Sequence, residues 1–236
     1  MRLTLLLPAL LALLLLASGC AAEEKTEDIV TTIPWPDHER TEYVLLTRDG
    51  KDERGRGVLE VTRQGDTYEL FLGFEGDGNT DESVVIVDAN TLKPISSHRE
   101  FTGSEEGTVT AEYDATEQVV TVTENTSGED RTVPLRLKDN YYDNDASIFL
   151  WRTIDFREGY KASYRGVVAN QGAQPVITVR VLDKEEITVP AGTFQTWKLD
   201  ISFNDRRQTA WYADTPEHPL VQYDNTLQLF QLTAIE

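Results

Sequence analysis

The chain has 236 residues, 39% apolar and 27% charged, and its 22 Lys and Arg stand against 41 Asp and Glu, for a formal net charge of −19. That balance excludes a nucleic-acid or anionic-membrane surface, which needs clustered cations. With 15 Gly and 9 Pro the chain is neither collagenous nor of low complexity, and it is too apolar for general disorder, so a folded body is expected.

The N-terminus comes first. Arg2 precedes an apolar run from Leu3 to Leu16, broken by Thr4 and Pro8, and then Ala17-Ser18-Gly19-Cys20. The run is short for a permanent helix across a ~30 Å hydrocarbon core, and small residues follow it as at a processing site. Residues 1–19 are therefore predicted to be a signal peptide. Cys20 is the single cysteine and follows Ser-Gly directly. The segment resembles the lipobox of bacterial lipoproteins, in which the cysteine is lipidated on sulfur and becomes the mature first residue. It departs from that pattern in having Ala17 where Leu is usual, with Leu16 one position earlier. Cleavage near Ala22 as an ordinary signal peptide, or an uncleaved anchor, are the alternatives. The resemblance implies an extracytoplasmic protein, on the cell surface or periplasmic side, attached to a bacterial membrane through acyl chains on Cys20. Losing residues 1–19 removes one cation and no anion, which changes −19 to −20. Residues 20–40 then read as the lipidated cysteine and an acidic, Pro-interrupted tether, with Trp35 docking on the domain.

Residues 41–236 read as a single β domain. Tyr68, Leu70, Leu72 and Phe74 alternate with polar or small residues, and so do Val109, Ala111 and Tyr113, and later Trp197, Leu199, Ile201 and Phe203. A period of two indicates strands with one covered and one wet face, hence mainly antiparallel pairing. Similar stretches recur from Tyr43 to Ile235 about every ten residues, separated by Gly, Asp, Asn and Pro clusters. So many strands leave costly edges in a flat layer, so the expected fold is all-β: a strongly curved sheet or half-open barrel. Val84–Asp88 leading to Pro94, and Trp211–Asp214 leading to Pro219, echo each other and predict two similar β halves.

One segment breaks the rhythm. After Asp143-Asn144-Asp145, which can cap a first helical turn, Ala146, Phe149, Leu150, Thr153 and Ile154 fall at helical spacing, and Ile148 and Trp151 widen the apolar stripe. One short apolar helix is predicted near 145–156. It is either a core helix plugging the open side of the sheet or a lid over a ligand groove. In the second case Phe149 and Trp151 touch the ligand, and Trp197, Trp211 and Tyr212 line the groove, although each of these also suits core packing.

Ile187-Thr188-Val189-Pro190-Ala191-Gly192-Thr193-Phe194 predicts a hairpin, with Pro190 presetting φ at the second turn position and Gly192 at the fourth. The V-P-A-G-T-F turn, the W-Y-A-D strand, the P-L-V-Q-Y step and D-N-D-A-S-I-F-L-W-R resemble the bacterial family called domain of unknown function 3108. The similarity runs from about Arg56 to Ile235. It implies an extracytoplasmic, strongly curved antiparallel sheet in the style of the lipoprotein carriers, and it transfers no activity and no catalytic residues.

Chemistry is sparse. His38, His98 and His218 lack partners at zinc spacing, and no nucleophile elbow or phosphate-binding loop is present. Asp77, Asn79 and Asp81 offer oxygens at alternate positions, as calcium requires, yet Glu82 replaces the expected glycine, so a wet acidic hairpin loop is the preferred reading and no metal is expected. No cofactor and no nucleic-acid partner are expected. The sequence leads to a non-enzymatic, membrane-anchored lipoprotein that binds or carries a lipid or other apolar ligand in a curved-sheet groove. The alternative is a structural or assembly lipoprotein with a filled core that meets another envelope protein through its acidic face.

Overall fold

The computed structural model describes residues 25–126, 128–203 and 205–236. The expected signal peptide and Cys20 lie outside these residues.

The N-terminal half supplies β1 (His38–Thr47), β2 (Glu53–Gln64), β3 (Thr67–Gly76), β4 (Asn79–Asp88), β5 (Pro94–Thr102), β6 (Gly107–Asp114), β7 (Val119–Thr126) and β8 (Glu129–Arg136). After β9 (Tyr141–Asp143), a 3₁₀ turn (Asn144–Ala146) runs into α1 (Ser147–Leu150). The C-terminal half continues with β10 (Lys161–Val167), β11 (Val176–Val189), β12 (Gly192–Phe203), β13 (Arg206–Ala213), β14 (Leu220–Asp224) and β15 (Gln228–Ile235). All strands join one sheet in the order β8-β7-β6-β5-β4-β3-β2-β1-β15-β14-β13-β12-β11-β10-β9. Every pairing is antiparallel except β9 with β10. The halves meet where β1 pairs with β15, Thr41 opposite Ile235.

The edges β8 and β9 do not pair with each other, so the barrel stays open. The sheet nevertheless curls until β9 touches β5, and a second 3₁₀ turn (Ala169–Gln171) touches β6 and β7. Curling removes water from one face. Along β1 the burial alternates from Glu39 through Leu45, and along β4 Ser83, Val85 and Val87 point inward. The predicted all-β half-barrel is the observed fold.

Short turns set the register. Asp77 and Gly78 form a two-residue link between β3 and β4 with φ of 51° and 78°, the doubly positive geometry that matches strand twist and favours Asp-Gly. Pro190 and Ala191 join β11 to β12 as the V-P-A-G motif predicts. The two sequence echoes are also alike in structure. Between β4 and β5, Leu92 (φ 54°) stands two residues before Pro94, and between β13 and β14, His218 (φ 47°) stands directly before Pro219. Each connection comes with a register shift, between Ile86 and Val87 and between Trp211 and Tyr212.

Two expectations change. The helix is shorter than 145–156: Arg152 and Thr153 donate their N–H groups to Phe149 and Leu150 carbonyls in tighter turns, and Thr153 Oγ1 also bonds the Leu150 carbonyl at 2.8 Å. A Thr hydroxyl competing for a helix carbonyl helps end the helix there. Past the helix the chain is irregular yet still buried at Trp151 and Ile154. The second change concerns the tether, in which Trp35 docks as expected but more of the segment packs with it. Its distal part lies on the body: Glu27 N–H bonds the Ser163 carbonyl at 2.8 Å, Thr31 N–H bonds the Thr153 carbonyl at 2.9 Å, and Ile29 and Trp35 are buried in the main core. One aliphatic and one aromatic side chain removed from water favour docking by several kcal/mol, roughly 1.5–3 each, enough to order a polar segment. His38, Glu39 and Arg40 already belong to β1.

Candidate functional site

Inside the curl, α1 acts as a plug. Ala146, Ile148, Phe149, Leu150, Trp151 and Ile154 all belong to the main core cluster. Asp143 caps the 3₁₀ turn by accepting the Asp145 N–H at 2.8 Å. Tyr212 Oη donates to the Ile148 carbonyl at 2.7 Å, Trp151 Nε1 donates to Tyr164 Oη at 3.0 Å, and Tyr164 Oη donates to Ser147 Oγ at 3.0 Å. These bonds give partners to groups that burial would otherwise leave unpaired. Replacing Tyr212 by Phe is expected to cost about 1–3 kcal/mol, since the Ile148 carbonyl loses its side-chain partner, read as a lower denaturation midpoint.

The plug does not fill the curl. Between its N-terminal end and the sheet lies a cavity of about 510 Å³. One wall is apolar: Leu72, Phe74, Ile148, Trp151, Phe203 and Phe230. Gly57 helps shape it, because a Cβ there would stand 3.1 Å from the Phe74 ring and 3.2 Å from Leu45 Cδ1. The other wall is polar, from Asp81 and Ser83 of β4, Arg99 of β5 and Asn144 and Asp145 of the 3₁₀ turn. Arg99 grips Asp81 with both arms, at 2.7 and 2.5 Å. Ser83 is 4% exposed and its Oγ has no hydrogen-bond partner among the described residues.

Behind that wall Asp143 is buried and accepts from Tyr113 Oη at 2.7 Å. Burial raises its carboxyl above the usual range despite this bond. Burial, together with the Asp143 carboxylate, pushes the half-buried Asp145 up to about 7. The sign of the effect on stability follows from linkage. Between its ordinary value of 3.8 and its folded value near 7, Asp145 keeps a proton in the folded chain that the unfolded chain has lost, so its contribution falls as pH rises through that window. Asp145→Asn is therefore expected to stabilise the protein at pH 8 by up to about 4 kcal/mol and to leave it almost unchanged at pH 4. Urea midpoints at the two pH values check this; equal differences at both contradict it.

The five residues expected to line one groove are not brought together. Trp151 lines this cavity, whereas Phe149 lies in the core behind it. Tyr212 is fully buried and anchors the plug. Trp197 belongs to a separate depression of about 540 Å³ at the other end, with Phe156 and His218, and its Nε1 donates to Asp214 at 2.8 Å. Trp211 follows the alternation of β13 onto the outer face, where its Nε1 donates to Glu185 and the Lys198 ammonium lies 5.4 Å from the ring centre. Adjacent strand residues cannot share a groove, which separates Trp211 from Tyr212. Asp77 and Asn79 stay in the hairpin, Asp77 pairing with Arg54 at 3.5 Å and Asn79 Oδ1 accepting the Ser104 N–H at 2.9 Å. Asp81 turns inward to Arg99, so the three candidate metal ligands are not assembled, and no metal cluster is present among the described residues.

Sequence reading missed the polar wall. Its signal lay in β5, where the inward positions carry Ser97 and Arg99 in place of aliphatic side chains.

The architecture is thus an open antiparallel half-barrel with a short internal plug and an amphipathic end cavity. The chain matches the family of proteins of unknown function DUF3108 over residues 44–228 and belongs to it. Among solved structures it is similar to a β-barrel-like protein of domain of unknown function DUF1849 from Brucella abortus, with 12% identity and a TM-score of 0.55 over 88% of this chain and 98% of that one. That likeness shows the shared fold. Weaker matches are a candidate exported protein with a YmcC-like fold from Bacteroides fragilis (14% identity, TM-score 0.33, 88% and 99% covered) and a candidate lipoprotein from Parabacteroides distasonis (14%, 0.34, 89% and 100%). No curated protein matched the chain.

Proposed function

We propose that this protein is an exported, lipid-anchored binding module that holds an apolar or amphiphilic ligand in its end cavity. The amphipathic cavity between α1 and the sheet is the observation that carries this reading. Its volume falls within the range of small-molecule sites. Capture is by burial, at ~0.8 kcal/mol per methylene before ordering costs, and involves no bond-making step. Export and anchoring rest on the apolar run and on Cys20 after Ser-Gly. Loss of membrane attachment in Cys20→Ala would support the anchor, and full retention would refute it.

The alternative, an assembly module acting through its outer face, draws support from the plug: Phe149 and Leu150 are fully buried in the main core inside the curl. Calorimetric titration with dodecanol separates the two. The binding reading predicts one molecule per chain and at least about tenfold weaker binding in Phe203→Glu, which puts a charge on the apolar wall. Absence of binding to wild-type protein leaves the assembly reading.

A further inference from the structure

The polar wall carries more carboxylate than its surroundings neutralise. Asp81, Asp143 and Asp145 converge there on the one guanidinium of Arg99, whose Nε and Nη2 are held by Asp81. Tyr113 approaches from β6 as an uncharged donor to Asp143. Arg206 of β13 stands at the rim, exposed to solvent. Ser83 lines the same cavity, 4% exposed, with its hydroxyl buried and without a partner among the described residues. A buried hydroxyl left unpaired is costly, and so is a set of three carboxyl groups sharing the single guanidinium of Arg99 as counter-charge. One kind of group answers both: a compact cation with several N–H donors, held next to an apolar body lying on Leu72, Phe74, Ile148, Trp151 and Phe230.

We propose that the end cavity recognises amphiphiles bearing a primary ammonium head, with the ammonium donating to Asp145 and to Ser83 Oγ and the chain lying against the apolar wall. This rests on the reading of the cavity as an apolar-ligand site and adds the head-group chemistry. The ammonium supplies the missing charge, and charge-assisted bonds in a partly dry site are the strong kind. The net charge of −19 draws cations towards the protein. An anionic head would instead meet the acidic wall, where Arg99 is already held by Asp81 and Arg206 stands at the rim.

The test compares dodecylamine, dodecanol and dodecanoate by calorimetry at pH 8 and about 0.5 M salt, where general attraction to an acidic surface is screened. Dodecylamine is expected to bind at least about tenfold more tightly than dodecanol. Asp145→Asn should erase that preference, bringing dodecylamine binding to the level of dodecanol in the same variant, and Ser83→Ala should reduce the preference several-fold. Far-ultraviolet circular dichroism of both variants reports whether the fold is kept. Equal binding of amine and alcohol, or tightest binding of dodecanoate, overturns the ammonium site while the apolar-ligand reading stands. Binding of none of the three overturns both. Lysophosphatidylethanolamine distinguishes the sources: displacement of dodecylamine assigns the ammonium to a lipid head group, failure to displace assigns it to a free alkylamine, and either result upholds the site.

Discussion

Glu39→Ala is expected to lower the stability of the folded protein by about 3–5 kcal/mol, because it strands a guanidinium in the interior. Arg152, 4% exposed on its side chain, reaches Glu39 with both terminal nitrogens, at 2.6 and 3.1 Å, and donates to the Glu217 carbonyl at 2.7 Å. Three distant parts of the chain are tied by this one side chain: the start of β1, the irregular segment after α1, and the β13–β14 connection. Arg152 Nε has no partner among the described residues, and the guanidinium carbon lies 5.3 Å from the Trp35 ring centre. Removing the carboxylate leaves a buried cation with one carbonyl, so the docked segment holding Ile29 and Trp35 should loosen as well. Urea denaturation gives the magnitude, and a double-mutant cycle with Arg152→Met separates the pair from the cost of the stranded charge. A variant lacking both charges should be much closer to wild type than Glu39→Ala alone.

Phe149→Ala is expected to cost a similar amount, about 3–5 kcal/mol, through lost burial and the space left behind. Phe149 is 1% exposed at the centre of the plug, flanked by Leu150 and held from beneath by the Tyr212–Ile148 bond. Its loss should also widen the end cavity by letting Ile148 and Trp151 shift, so long-chain ligands should partly restore stability by binding the folded state alone. Thermal unfolding with and without dodecanol measures both effects. A loss below about 1 kcal/mol would mean that the plug is not a packed element of the core.

The strand pattern was legible because inward positions are apolar in most strands, and period two survives any error in the strand ends. The Pro190–Gly192 hairpin was legible because its chemistry is local. Three features depended on contacts between distant residues. Ile29 sits in a polar, acidic stretch, and only the finished body offers it a hydrophobic surface, whereas the docking of Trp35 follows from the cost of leaving it in water. Arg152 interrupted an apolar stripe in the sequence, and its partner lies 113 residues away. β9 is three residues long and pairs in parallel with β10 beyond the plug, so it carries no alternation of its own to read. Of the five aromatic residues assigned to one groove, Trp151 lines the end cavity, and strand geometry spreads the others over two ends and two faces. The acids Asp143 and Asp145 follow from the sequence as helix caps, a role Asp143 does play, and their approach to Arg99 emerges only from the folded sheet, where Ser83 lies opposite Arg99.

Native mass spectrometry of the protein released gently from its own membranes is the most direct measurement of whether the end cavity is a ligand site. One amphiphile-sized adduct per acylated chain is predicted, absent from the Phe203→Glu variant prepared the same way. Bare protein of the acylated mass in both preparations would contradict a ligand role for the cavity.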